Sequence, residues 1–311
     1  MITESDLEGL DLDAIGGGFV RAAWRTPDTS LNATRMLRAL RAKAKPAAAR
    51  QPGFESLHGM PEALDWGRRL HRDLLDYRAG ALSWEDVDHG LLLSGPPGVG
   101  KTRYAAALAV ECGVPLVQGS LAAWQGSGEG HLGHLLRAMA STFAEARRKA
   151  PCILFLDELD GVGDRRVMRW NKDYSAQVVN ALLEHLDGVA GRPGVVVVGA
   201  TNFPGSIDAA LRRAGRLDRH LRLSLPDADA RALILAQYAG VAPEDAREPA
   251  IDMVGTSGAD LEAVARDARR LARDGGVPVR AAHLRAAYAV RRGEAINSLV
   301  DLSCWVPEAT H

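Results

Sequence analysis

The sequence is poor in cysteine, in lysine and in long apolar runs. Its 311 residues contain three cysteines, Cys112, Cys152 and Cys304, and none of them belongs to a CxxC pair. Isolated cysteines of this kind support neither a disulfide framework nor a structural zinc site. No apolar stretch approaches the 18 or more residues that read as a membrane-spanning helix. The chain opens on an acidic segment rather than on a signal peptide. We therefore predict a cytoplasmic protein without membrane contact.

Charged residues make up 25% of the chain and apolar residues 47%, and the formal net charge is −1. This balance is typical of a globular protein and excludes wholesale disorder. The charge is uneven near the start, because residues 2–13 carry five acids and no base, whereas residues 21–50 carry eight bases and one acid. Together with its glycines, prolines and alanine run, this polarity predicts a mostly flexible charged arm over residues 1–50.

Strand-like apolar runs alternate with helix-length segments after the arm. The runs cover residues 90–94, 115–118, 152–156, 195–200 and 221–225. Such alternation predicts an α/β fold with a parallel sheet that is covered on both faces. The strand signal ends near residue 226, and helical patterns follow at 228–239, 259–273 and 279–291. We predict a large domain over residues 51–225 and a small all-helical domain over residues 226–311.

A glycine-rich segment between the first strand-like run and the next helix matches GxxxxGK[ST]. In this context the backbone N–H groups and the helix N-terminus would bind phosphate oxygens. Lys101 would reach the β and γ phosphates of a nucleotide, and the Thr102 hydroxyl would bind Mg²⁺. The predicted ATP-binding residues of this segment are Gly95, Pro96, Pro97, Gly98, Val99, Gly100, Lys101, Thr102 and Arg103.

Acidic side chains follow the strand-like run at 152–156, at the sheet edge where open α/β sheets bind ligands. Asp157 is expected to hold Mg²⁺, mainly through water, and Glu158 to act as the general base that polarises the attacking water. Asn202 follows the run at 195–200 and would contact that water or the γ phosphate. The spacing of these residues from the phosphate loop predicts an ATPase.

With these motifs in place, the sequence resembles the AAA family of ATPases over about residues 51–290. Residues 199–202 and 207–219 look like that family's second region of homology. The resemblance implies a P-loop NTPase αβα domain with a helical lid, and ATP and Mg²⁺ as cofactors. It also implies that Arg213 and Arg216 are arginine fingers acting in trans, in a homo-oligomeric ring that is usually a hexamer. No HExxH occurs, so we expect a standalone single-module form rather than a protease fusion.

The same resemblance extends the predicted site in three places. Gly258 and Ala259 look like the lid residues that lie close to the nucleotide. The segment with Leu57, His58 and Gly59 looks like the one that wraps the adenine. Two further residues fall where the family carries its pore loops. Trp124 is either the pore aromatic or a packing residue, because Gly126 occupies the usual aromatic position, and Trp170 lies in the expected second pore loop.

These features favour an ATP-driven motor that remodels or unfolds proteins, with a protein substrate or adaptor as partner. Two alternatives stay open at this point. A motor or loader acting on nucleic acid would use the basic stretch at residues 21–50, and a scaffold that binds ATP without turnover would use the site only to assemble. The complete set of catalytic residue types argues against the scaffold.

Overall fold

The computed structural model describes residues 52–126, 132–161, 172–187 and 193–293. The chain divides into two units, Met1–Gln51 and Pro52–His311, and the description that follows concerns the second. The predicted charged arm and Trp170 lie outside the described residues.

Five parallel strands form one sheet. They are β1 (Gly90–Ser94), β2 (Leu116–Ser120), β3 (Cys152–Asp157), β4 (Val195–Thr201) and β5 (Arg219–Arg222). Their order across the sheet is β2-β3-β4-β1-β5, so the chain leaves β1 for the far edge and returns to pair β4 with β1. The strand order changes direction at β1, and ligands bind beside such a point in open α/β sheets.

Helices cover both faces of the sheet. They are α1 (Pro61–Arg78), α2 (Lys101–Cys112), α3 (Leu121–Gln125), α4 (Leu132–Arg148) and α5 (Lys172–Asp187). Alternate strand side chains point to opposite faces. Leu91 and Leu93 of β1 therefore pack in one core with α1 and α2, whereas Leu92 packs in a second core with α4 and α5. The predicted α/β fold with a doubly covered parallel sheet is confirmed.

A helical bundle follows β5. Its members are α6 (Ala228–Ala239), α7 (Pro243–Asp252), α8 (Gly258–Asp274) and α9 (Ala281–Arg291), which share a core of their own. The start of α8 is fixed by a capping box, in which the Ser257 and Asp260 side chains each accept a hydrogen bond from the other's backbone N–H. The sequence patterns missed α7, because Pro249 lies inside this ten-residue helix and proline argues against a helix interior.

The last strand also differs from its prediction. It begins at Arg219, where it pairs with Leu91, and it ends at Arg222 rather than continuing to Leu225. Three of its four side chains are exposed on this edge strand, so apolar patterning could not mark it. Among the residues described, none of the helices combines the length and apolar character that a bilayer crossing requires.

Candidate nucleotide site

A cleft of about 400 Å³ lies between the carboxyl ends of the strands and the helical bundle. This volume falls within the range of small-molecule and cofactor pockets. The cleft brings together most of the predicted site. The predicted residues that line it are Leu57, His58, Pro97, Gly98, Val99, Gly100, Lys101, Thr102, Arg103, Asp157, Glu158, Asn202, Gly258 and Ala259. Met60, Ile234, Tyr238 and Glu262 also line it and were not predicted.

The phosphate loop needs glycine at Gly98 and Gly100, as it does at Gly95, where a Cβ would lie 2.2 Å from the Leu223 carbonyl oxygen. Gly98 has a φ of 77° and Gly100 a φ of 99°, in the left-handed region that other residues rarely adopt. A Cβ atom on Gly98 would lie 2.5 Å from the Ser257 hydroxyl oxygen. Gly100 is the N-cap of α2, so the loop turns directly into that helix's N-terminus. This strand-loop-helix geometry suits the binding of an anionic ligand.

Lys101 links the two ends of the loop to the neighbouring strand. Its Nζ donates hydrogen bonds to the carbonyl oxygens of Gly95 and Pro96, at 2.7 and 3.0 Å, and to Oδ1 of Asn202 at 2.7 Å. Its side chain is buried, and burial lowers the pKa of Lys101, while the carboxylates of Asp157 and Asp160 partly oppose that shift. The ammonium is therefore held at the cleft floor by acceptors that phosphate oxygens could replace.

The predicted metal-binding pair is in direct contact. The Thr102 hydroxyl donates to Oδ2 of Asp157 at 2.9 Å, and the other carboxylate oxygen accepts the backbone N–H of Glu158 at 2.9 Å. Hydroxyl and carboxylate oxygens are the hard ligands that suit Mg²⁺, which also keeps several waters in such sites. The donor set therefore fits the magnesium of a bound nucleotide.

Glu158 has an unusual backbone. Its φ of 54° makes it the one non-glycine residue with positive φ in the part of the chain that the structure describes. Residues held in this region store strain, and such residues cluster at functional sites. The strain follows from a tight turn off β3 that leaves the Glu158 side chain exposed in the cleft. That position suits a base that must reach a water molecule.

Asp160 was not assigned a role from the sequence, although it ends the acidic segment Asp157–Asp160. Its Oδ1 accepts the Thr201 hydroxyl at 2.8 Å and the backbone N–H of Asn202 at 3.1 Å. These two bonds fix the end of β4, and the Asn202 side chain then meets Lys101. Asp160 is thus a positioning residue, and its partners can be identified only from the folded structure.

The helical bundle contacts the phosphate loop through the start of α8. The Ala259 N–H donates to the carbonyl oxygen of Gly98 at 3.0 Å, and a Cβ on Gly258 would lie 3.3 Å from the same oxygen. His58 forms a 2.8 Å hydrogen bond with Gln237 of α6. Gly59, which has a φ of 77°, is not among the residues that line the cleft. A Cβ atom at this position would come within 2.8 Å of the Ala230 side chain.

Arg213 and Arg216 do not line the cleft. The Arg216 guanidinium forms an ion pair with Asp187 through two nitrogens and donates to the Ala210 carbonyl. Its backbone oxygen lies against β1, because a Cβ on Gly90 would be 1.6 Å from it. Arg213 is exposed. The contacts of Arg216 therefore hold this turn against β1 and the end of α5. Both arginines lie outside the cleft of their own chain.

Trp124 is only 3% exposed and lies in the core between the sheet and α4. Its Nε1 donates to the Thr142 hydroxyl at 3.0 Å, and its ring packs against Gly119, where a Cβ would be 2.8 Å from a ring carbon. These contacts are those of the packing alternative. In this conformation the indole does not face solvent, so it does not have the exposure that a pore aromatic needs.

Comparison with known proteins adds to this geometry. The profile described as "ATPase family associated with various cellular activities (AAA)" matches residues 91–225. The chain contains a domain of the AAA family. The matched range starts in β1 and ends just after β5, so it includes the phosphate loop, the acidic segment and the arginine-bearing turn.

Curated relatives agree with this family membership. The chain is 40% identical over 236 residues to the ATP-dependent zinc metalloprotease FtsH 3 of Sphaerobacter thermophilus, covering 72% of this chain and 48% of that protein. It is 35% identical over 221 residues to the human ATP-dependent zinc metalloprotease YME1L1, covering 70% of this chain and 28% of that protein. The chain thus spans less than half the length of these relatives.

Family membership confirms the predictions of an AAA-type ATP-hydrolysing domain and of ATP with Mg²⁺ as its cofactors. The roles of individual residues stay predictions, although the cleft gathers the phosphate, metal and base residues in a mutually consistent arrangement. The sequence patterns missed Tyr238 and Glu262. Both lie on helices whose apolar periodicity carries no sign of a ligand contact.

Proposed function

We propose that this AAA protein uses ATP hydrolysis to remodel or unfold protein substrates. The observation that carries the proposal is the bonded set Lys101–Asn202 and Thr102–Asp157, beside the exposed Glu158, in one cleft. The relatives named above are called ATP-dependent metalloproteases, so their names join ATP to the processing of proteins. A protein substrate or adaptor is accordingly the partner that we propose here.

Each residue of the set has a distinct task in this proposal. Lys101 would bind the β and γ phosphates in place of one of the oxygen atoms that now accept its hydrogen bonds. Thr102 and Asp157 would hold the magnesium ion, whose charge neutralises that of the phosphates. Glu158 accepts a proton from the attacking water, and Asn202 orients that water or the γ phosphate. Preorganised donors and charges of this kind supply most of the catalysis in phosphoryl transfer.

Assembly would complete the site. Since Arg213 and Arg216 lie outside their own cleft, we propose that they act on the nucleotide of a neighbouring subunit. A contact of this head-to-tail kind generates a ring when its rotation closes. The assembly that we propose is a homo-oligomeric ring with six subunits. We also propose the domain limits 51–225 and 226–311, and a cytoplasmic location.

The test measures ATPase rate per subunit against protein concentration, together with the Glu158→Gln variant. We expect the specific rate to rise with concentration, because each site needs a neighbour, and Glu158→Gln to bind ATP without hydrolysing it. Glu145→Gln is the matched control, since Glu145 does not line the cleft and its half-exposed side chain pairs with Lys149. A dilute monomer as active as the concentrated protein would overturn action in trans.

The substrate class needs a separate experiment. ATP-bound Glu158→Gln protein should retain an unfolded model protein and release it on exchange to ADP. The basic stretch at residues 21–50 favours nucleic acid as a second candidate. ATPase stimulation by DNA, with a steep dependence on salt, would support that candidate and contradict the proposal of a protein substrate.

A further inference from the structure

A polar cluster bridges the two walls of the cleft beyond the phosphate loop. Arg103 of α2 directs its guanidinium over the ring of Tyr238 of α6, with 4.9 Å between the guanidinium carbon and the ring centroid. The same guanidinium lies 3.5 Å from a carboxylate oxygen of Glu262 of α8. Three elements thus contribute one side chain each, and all three side chains line the cleft.

Two atoms of this cluster are buried without a hydrogen-bond partner in the described part of the chain. They are Nε of Arg103 and the hydroxyl oxygen of Tyr238. Buried polar groups are nearly always paired, because an unpaired one loses its hydration without compensation. The Arg103–Glu262 pair is also long at 3.5 Å and half exposed, so it does not satisfy the guanidinium well. The cluster has unused capacity for hydrogen bonds, and its three residues line the cleft, although the two unpaired atoms are shielded until their side chains turn.

The position of the cluster indicates which part of a nucleotide it would meet. Arg103 directly follows Thr102, so the cluster begins where the phosphate-binding residues end. Apolar side chains at the same cleft, Leu57, Met60 and Ile234, suit a purine ring rather than a sugar. A ribose lies between the phosphates and the base, and its hydroxyls both donate and accept hydrogen bonds.

We propose that Arg103, Tyr238 and Glu262 bind the ribose hydroxyls of ATP and make this site discriminate against deoxyribose. This inference deepens the proposed function, since it rests on ATP binding in the cleft. The Glu262 carboxylate accepts a hydrogen bond from the sugar, Arg103 Nε donates one to it, and the Tyr238 hydroxyl can do either. Because Tyr238 and Glu262 belong to the helical bundle and Arg103 to the sheet domain, a bound sugar would also tie the bundle to α2.

A binding experiment tests the proposal without turnover. Calorimetry in the Glu158→Gln background would give Kd values for Mg-ATP, Mg-2′-deoxy-ATP and Mg-3′-deoxy-ATP on the full chain. We expect at least one deoxy nucleotide to bind about two- to tenfold more weakly than ATP, the range of one neutral hydrogen bond. Tyr238→Phe should weaken ATP binding by a similar factor and lower the ratio of the deoxy-ATP Kd to the ATP Kd.

Tyr288→Phe is the matched control. Tyr288 lies on α9 of the same bundle and also has an arginine over its ring, with the guanidinium carbon of Arg292 at 5.7 Å, yet it does not line the cleft. This variant should keep the wild-type ratio. Glu262→Gln and Arg103→Lys, which keep approximate size, should each reduce the discrimination, and thermal melting would show that all variants stay folded.

The outcomes separate this proposal from the one on which it rests. Equal affinity for ATP and both deoxy nucleotides, or a Tyr238→Phe protein with the full wild-type discrimination, would overturn sugar recognition while leaving the ATPase intact. No binding of Mg-ATP to the parent protein would overturn both. Weaker ATP binding by Tyr238→Phe with an unchanged ratio would mean that the hydroxyl supports the fold of the cleft rather than the sugar.

Discussion

The residues predicted to hold the nucleotide and those predicted to act outside it are organised differently. In the cleft, Lys101 contacts Asn202 and Thr102 contacts Asp157, so one subunit assembles the phosphate side by itself. Arg213, by contrast, is exposed, and Arg216 is paired with Asp187 away from the cleft. The difference teaches that a single chain brings the predicted phosphate and magnesium ligands together, whereas it keeps the predicted arginine fingers apart from them.

Burial gives this difference an energetic meaning. Lys101 is 8% exposed, so its charge needs the three acceptors that surround it, and losing one partner would leave others unpaired. A solvent-exposed guanidinium such as that of Arg213 gains little from any single partner until a second surface removes water. The predicted phosphate ligands are therefore already in contact with one another, whereas the proposed role of the arginines requires a second surface.

Replacing the ammonium at the cleft floor should have the largest effect. Lys101→Ala removes three hydrogen bonds and the charge that faces the phosphates, so we expect kcat/KM for ATP to fall on the order of 10³-fold or more. Lys149→Ala is the control, because Lys149 forms an exposed pair with Glu145 on α4. Steady-state kinetics with both variants decide the point, and a Lys101→Ala protein with a tenth of the wild-type activity would contradict the assigned role.

Arg213→Ala should have the next largest effect, and it should act on a different parameter. We expect kcat to fall by about 10²- to 10³-fold, because a charge that stabilises the transition state is lost. ATP affinity and melting temperature should change little, since Arg213 is exposed and outside the cleft. Equilibrium binding, calorimetry and kcat together check this pattern, and a large loss of ATP affinity would argue for a place inside the subunit's own site.

Mixing two inactive proteins would sharpen the same comparison. An Arg213→Ala subunit keeps its phosphate loop, and a Lys101→Ala subunit keeps its arginines, so neighbouring pairs would regain complete sites if the arginines act in trans. Partial recovery of ATPase activity is the expected result. The Asp187→Asn variant extends this experiment, because it weakens the ion pair between Asp187 and Arg216 while it leaves the arginine in place. Mixtures that stay inactive, with assembly verified, would count against the shared site.

The sheet and phosphate loop could be predicted because local patterns determine them. Strand β1 matches its predicted limits, since its three leucines, buried on both faces, leave a continuous apolar run. The site residues Lys101 and Asp157 could be predicted because they occur in motifs with a characteristic spacing. Edge strand β5 and helix α7 could not be predicted as well, because exposed arginines and an internal proline hide their periodicity.

Contacts between distant segments were beyond sequence reasoning. Asp160 accepts hydrogen bonds from the backbone N–H of Asn202, 42 residues further along the chain, and from the Thr201 hydroxyl, and no local pattern encodes either bond. The pair of Arg216 with Asp187 and the approach of Arg103 to Tyr238 are of the same kind. Long-range partners of polar side chains depend on how the elements pack, and motif spacing says nothing of that.

Substitution of Trp124 should have the smallest effect, and it tests whether this residue is a packing residue or a pore aromatic. Trp124→Phe removes the bond to Thr142 and leaves a small void, so we expect the free energy of unfolding to fall by about 1–2 kcal/mol, with ATPase activity within about twofold of wild type. Trp66→Phe is the matched control, because Trp66 is equally buried and donates its indole N–H to Asp88 at 2.8 Å. Chemical denaturation measures the stability of both variants.

If Trp124 is a packing residue, the two variants lose stability alike and process a protein substrate alike. A Trp124→Phe protein that is as stable as wild type but fails to process the substrate would instead place the indole on the substrate path. That result would require the segment after β2 to rearrange on assembly, because the indole is now shielded by Gly119 and Thr142.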